Sequence, residues 1–205
     1  MGVLRQPALL RASRLNYPTL CVGSRSGDCL WLWDIRTREI VQTIVLLPCP
    51  YDMFGMLYVD VNETHAFVAT HTVSVYNRAS GKCVFQFQGS WLEVITSCAV
   101  PPTQSFQSHT VFEDYEFPSY RNPDPINYGY SPLDIVMAVH VSPSGNDFVA
   151  ITFRGYLLRI SGIKELNEDE RFPTLHDFRI SVASVDQRLD NLAYDGNRIL
   201  AHGVS

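Results

Sequence analysis

Thr19-Leu-Cys-Val-Gly-Ser-Arg-Ser-Gly-Asp-Cys-Leu-Trp-Leu-Trp-Asp-Ile35 decides the reading of the chain. Two short apolar runs flank the polar turn Ser24–Gly27, the signature of two antiparallel strands joined by a tight connection. A further turn, Arg36–Glu39, leads into Ile40–Leu46, so this region reads as a three-stranded meander. Within its central strand the side chains alternate, with Trp31 and Trp33 on one side and Leu30 and Leu32 on the other. Bulky residues on both faces of one strand need a sheet packed on each side, so we expect both pairs to lie in core between sheets.

Outward from this stretch the same order recurs. Met56–Val61, Ala66–Thr70, Thr72–Tyr76 and Cys83–Phe87 read as four strands. A third unit follows, with Ile135–Val141, Asp147–Phe153, a hairpin at Arg154–Gly155, Tyr156–Ile160 and an outer strand at Leu175–Val182. A fourth begins with Leu192–Tyr194 and Arg198–His202. Matching second strands are 47 residues apart from Val22 to Ala69 and 51 apart from Ala150 to Ala201, with an 81-residue interval between. Spacings slightly above ~40–45 residues, with almost no helical periodicity, predict an all-β fold, a β-propeller of antiparallel four-stranded blades. The blades are expected at about 19–47, 55–90, 135–182 and 189–205, preceded by a weakly structured segment 1–18 and interrupted by an insertion at 98–134. At roughly three and a half blades, the arc reads as part of a larger propeller, because an arc of fewer than ~4 blades leaves apolar faces open.

Gly23, Ser24, Gly27 and the dipeptide Trp33-Asp34 together resemble the second and third strands of a WD repeat, and weaker copies follow at 60–76, 139–160 and 193–203. The family's Gly-His dipeptide has no counterpart, and Ser26 stands where the family places Asp, so its hydrogen-bonded tetrad is not implied for any blade. The degenerate repeats are similar to those of fungal-type F-box and WD-repeat proteins. That resemblance implies a propeller that presents substrates to a ubiquitin ligase, with ligase components among its partners.

Composition narrows the classes. The 205 residues carry 16 basic and 21 acidic side chains, a net charge of −5, which gives no general attraction for nucleic acid or an anionic membrane surface. The five cysteines show no C-x-x-C spacing and are expected as buried thiols in the cytoplasm or nucleus. No run reaches the ~18 apolar residues of a membrane span. No cofactor or metal site is expected, because no phosphate-binding glycine loop or ligand-spaced histidine set occurs. His65 and His71, at the ends of one strand, are expected to face solvent. Gly23-Ser-Arg-Ser-Gly27 fails as a nucleophile elbow because Arg25 occupies its centre. Arg25, Arg36, Arg38 and Arg154 fall at turns of different loop types and do not suggest one shared pocket.

The insertion holds six of the twelve prolines and seven of the 24 aromatic residues. Prolines predict an irregular connection, while aromatics at this density predict that part of it packs. Its acidic-aromatic run, Phe112, Glu113, Asp114, Tyr115 and Phe117, is the candidate docking segment for a protein or peptide partner. A non-catalytic interaction module is the leading expectation. One alternative is a propeller hydrolase or oxidoreductase with an axial site built on Asp60 and His140, which occupy corresponding inner-strand positions. The other is a structural or trafficking scaffold.

Overall fold

The structure, a computed structural model, describes residues 10–47, 55–70, 73–87, 113–115, 135–166, 178–184 and 189–203. These form antiparallel sheets in a propeller-like arrangement. The first blade contains β1 (Leu10–Asn16), β2 (Thr19–Ser24), β3 (Cys29–Asp34) and β4 (Glu39–Val45), hydrogen-bonded in that order. The second contains β5 (Tyr58–Val61), β6 (His65–Ala69), β7 (Val73–Asn77) and β8 (Cys83–Phe87). The third blade spans β9 (Glu113–Tyr115), β10 (Val136–Val141), β11 (Asp147–Thr152), β12 (Tyr156–Ser161) and β13 (Arg179–Ser184), in the order β10-β11-β12-β13-β9. Last come β14 (Leu189–Tyr194) and β15 (Ile199–Gly203), paired with each other.

The first strand of each sheet lies innermost: β1 touches β5, β5 touches β10, and β10 touches β14. Three of the four inner hairpins also share a register slip at the start of the inner strand, between Leu10 and Ala12, Val136 and Ala138, and Leu189 and Asn191. A bulge at the same place in successive hairpins marks one repeated unit and tightens the local twist.

Alternation along the strands gives each blade two apolar faces, and each inter-blade seam consumes one from either side. Leu30, Leu32 and Ile44 of the first blade meet Met56, Val59 and Val68 of the second. The opposite face of the second, with Phe67, Val75 and Phe85, meets Phe148, Ala150 and Ile160 of the third. Phe67 and Phe148 have ring centroids 5.6 Å apart, and Phe85 and Phe178 approach to 4.6 Å edge to face. Ala138, Val149 and Ile151 then meet Leu192 of β14. Burial of both faces explains the continuous apolar runs of β6 and β11, every residue of which is buried.

Several expectations change. Residues 10–16, read as part of a weakly structured segment, form the innermost strand of the first blade. Its polar side chains (Arg11, Ser13, Arg14, Asn16) hid it, because alternate positions turn outward from the sheet and only Leu10, Ala12 and Arg14 turn inward. The insertion is not wholly irregular: β9 adds antiparallel to β13 with Tyr115 opposite Ile180 and Glu113 opposite Val182. The outer strand is described from Arg179, residues 175–177 of its expected range lying outside the described residues, and β14 starts three residues before Leu192. His65 is buried, not solvent-facing, with its Nδ1 2.9 Å from Thr64 Oγ1; His71 lies outside the described residues. Burial lowers its basicity. The tryptophan pair is buried as expected, but Trp31 and Trp33 pack with Val22, Leu10 and Leu20 on the first blade's face away from the second.

Candidate functional site

The signature residues of the first blade organise local structure. Gly23 is required by a close approach: a Cβ there would lie 1.9 Å from Met56 Sδ across the seam. Ser24 and Ser26 each donate to Asp28 Oδ1 at 2.6 Å, and these bonds hold the Asp28 carboxyl down at about 2. Gly27 closes this turn at a φ of +73°. Trp33 packs in the tryptophan cluster, while Asp34 accepts from the Arg36 side chain and backbone amide. The Arg36 bond lowers the Asp34 carboxyl to about 2. Arg36 and Arg38 share one turn while Arg25 and Arg154 lie on two others, and none of the four lines the cleft described below.

In the docking segment, Glu113, Asp114 and Tyr115 are held as β9 on the edge of the third blade. Phe112 and Phe117 lie outside the described residues.

A cleft of about 470 Å³ opens where the inner hairpins of the first three blades come together. Each contributes the end of its inner strand and the turn beyond: Asn16–Thr19, Asp60–Glu63 and Val141–Pro143. Arg14 enters from β1, Arg78 from the turn after β7, and Tyr194 from the end of β14. Among the described residues no group of three or more His, Cys, Asp or Glu side chains could hold a metal ion.

Asp60 is the centre of this region and bridges three blades. Its Oδ1 accepts from the Val61 amide at 2.8 Å and faces Arg14 Nε at 3.2 Å. Its Oδ2 accepts from the Val141 amide of β10 at 2.9 Å. Burial raises its pKa, and the Val141 bond and Arg14 oppose that rise. The bond to Val141 satisfies a donor on an inner strand, whose open edge has no further strand to pair with.

His140 follows from the same geometry. Tyr58 Oη lies 2.8 Å from its Nε2, and its Nδ1 lies 3.6 Å from Asp60 Oδ2. Burial, with Arg14 as a second cause, lowers its pKa to about 4, so at neutral pH the ring is uncharged and its approach to Asp60 is no ion pair. The axial pair anticipated from sequence is therefore brought together, with both Asp60 oxygens and His140 Nε2 engaged by Val61, Val141, Arg14 and Tyr58, while His140 Nδ1 has no hydrogen-bond partner among the described residues.

Sequence reasoning passed over Arg14, Arg78 and Tyr194. Arg78 Nη1 donates to the carbonyls of Asn62 and Glu63 at 2.5 and 3.2 Å, and Nη2 to Thr19 Oγ1 at 3.1 Å. Gln42 Nε2 donates to the Arg78 carbonyl, and Asn16 Nδ2 to the Val61 carbonyl at 3.0 Å, so the first two blades are stitched at both places. Tyr194 donates to Asp147, which also accepts from Arg159 Nε at 3.1 Å; burial and that carboxylate raise the tyrosine's pKa. The signal available was positional: polar residues recurring at the ends of inner strands, where a sheet turns without a neighbour.

No family model matches the chain, and no curated protein matches it. Among solved structures, the computationally designed Ika4 protein is similar over 98% of this chain and 89% of its own, at 11% identity and a TM-score of 0.51. The complex of KlAtg21 with the coiled coil of AgAtg16 is similar over 97% of this chain at 11% identity and a TM-score of 0.54. This chain spans half the length of that structure's matched chain. At such identities the likeness is one of fold, and it places the chain among all-β, propeller-like proteins.

Proposed function

We propose that the chain is a protein-interaction module: a propeller-like scaffold that holds loops and the 98–134 insertion against a protein or peptide partner. The observation that carries this reading is β9, which fastens the backbone of Glu113–Tyr115, within the acidic-aromatic run, along the outer edge of the third blade. An extended segment fixed on a sheet edge is presented in a defined register, the arrangement that strand-mediated peptide recognition uses. The fold likeness to KlAtg21, whose structure holds a coiled coil, is consistent with a protein partner. Recruitment of substrates to a ubiquitin ligase is the finer form of the proposal, and cytoplasm or nucleus the compartment. The thiols of Cys21 and Cys83, pushed up to about 12 and about 11 by burial, suit such a reducing compartment.

The enzyme reading is disfavoured by the state of its only candidate pair. A general acid–base group needs a proton-transfer position open to substrate. Asp60 instead spends both oxygens on protein donors, and His140 is tied to Tyr58.

The test is to recover partners of the full chain from its own cells, then repeat the binding with purified components. A triple substitution, Phe112→Ala, Tyr115→Ala and Phe117→Ala, is expected to abolish that binding with the melting temperature unchanged. Binding that survives the triple variant, or a chemical turnover lost in a folded Asp60→Asn variant, would contradict the proposal.

A further inference from the structure

We propose that the cleft between the inner hairpins binds a carboxylate side chain of an acidic protein partner. This rests on the reading of the chain as an interaction module and names the chemistry of one contact.

The argument starts from charge. Two guanidinium groups, Arg14 and Arg78, line the cleft against one buried carboxylate, Asp60. Arg14 faces Asp60 through its Nε at 3.2 Å, and 41% of its side chain remains exposed. Its two terminal amino groups make no hydrogen bond among the described residues, which leaves a fork whose geometry suits a carboxylate. Arg78 is half-buried and bonded solely to neutral oxygens, those of Asn62, Glu63 and Thr19, with its Nε buried and unpartnered. Burial lowers its pKa, the physical cost of a guanidinium without a hydrogen-bonded counter-ion.

Glu63, exposed on the rim, brings the whole lining to balance, so the excess of one positive charge is confined to the buried side of the cleft, where Arg14 and Arg78 face Asp60 alone. A singly charged carboxylate would neutralise it. A phosphate dianion would overshoot, and Glu63 on the exposed rim would repel its second charge more than it repels a single carboxylate. At about 470 Å³ the space suits one or two side chains rather than a folded domain. Beside the guanidinium groups stand Leu15 and Tyr17, 53% and 70% exposed, which offer apolar contact to a residue next to the acid. The fitting ligand is an acidic residue flanked by an aliphatic one.

Fluorescence anisotropy with a labelled acetyl-Gly-Leu-Glu-Leu-Gly-amide peptide tests this on the full chain, with the Gln counterpart and inorganic phosphate as comparisons. The Glu peptide is expected to bind, the Gln peptide to bind at least ~10-fold more weakly, and Arg14→Gln to weaken the Glu peptide by about the same factor. Glu63→Gln, an exposed change that does not threaten the fold, is expected to tighten binding two- to threefold or so and to reduce its salt dependence. Equal affinity for the Glu and Gln peptides, indifference to Arg14→Gln and Glu63→Gln, or displacement by phosphate at concentrations where free glutarate has no effect would overturn the proposal. Partner capture that depends on the insertion but not on these two residues would overturn the cleft assignment alone and leave the interaction module standing.

Discussion

Asp34 and Asp60 are both aspartates at or near a strand end, and they differ in what surrounds them. Asp34 completes the one Trp-Asp dipeptide of the chain, is partly buried, and serves a single turn through the exposed Arg36. Asp60 belongs to no motif, is almost wholly buried, and takes donors from its own strand, from β1 and from β10. The first has its pKa lowered by its hydrogen bond to the neighbouring Arg36; the second has it raised by burial against the pull of its partners. A recognisable signature thus marks local turn chemistry here, while the contact that joins blades sits where no pattern advertises it.

The largest expected effect is at Asp60. Asp60→Ala leaves the Val61 and Val141 amides and Arg14 without their acceptor, and should destabilise the fold by about 4 kcal/mol in urea titration. Asp60→Asn, which keeps one acceptor oxygen, should lose clearly less. Comparable losses for Asp34→Ala and Asp60→Ala would break the contrast between the two sites.

A second effect comes from His140. Its folded pKa, about 4, lies below the ordinary 6.5, so as pH falls from 6.5 the unfolded chain takes up a proton that the fold refuses. The associated stability is fully present above 6.5 and is lost progressively down to 4, a decline of up to about 3 kcal/mol. The raised pKa of Asp60 runs the opposite way, favouring the fold as pH falls, so the informative quantity is the difference between the wild type and His140→Gln. That difference should shrink between pH 7 and 4. A constant offset would mean that His140 titrates normally.

Gly23→Ala is expected to cost about 2 kcal/mol, because the new methyl meets Met56 across a filled seam. Partial rescue by Met56→Ala in a double-mutant cycle would assign the loss to that contact, and additive losses would not. At the bottom of the scale, Asp34→Ala should leave the urea midpoint unresolved from wild type while changing backbone shifts only around Arg36–Glu39.

Much of the fold was legible because apolar runs and turns carry their own signals. Gly23, Gly27 and the Trp31/Leu32 alternation located the first blade, and the recurring spacing located the others. What escaped was polar by necessity. β1 reads as Leu-Arg-Ala-Ser-Arg-Leu-Asn because its outward positions are exposed and its inward Arg14 answers a carboxylate 46 positions away. The short β9 is held by backbone pairing to β13, a long-range relation that no local pattern encodes. Asp60 and His140 were legible as an inner-strand pair, but their role was not. Whether two polar groups meet substrate or each other's strands depends on which amide lies opposite, and that is set by the packing of blades.

The Val141 amide tests the account most directly. If Asp60 joins the second and third blades, that amide should exchange with solvent deuterium as slowly as the ladder amides of β11. In Asp60→Ala its exchange should rise by orders of magnitude while Phe85 and Val75 amides in the second blade keep their protection relative to global unfolding. Rapid exchange at Val141 in the wild-type chain would contradict the bridge, and with it the assignment of Asp60 as a structural rather than a catalytic carboxylate.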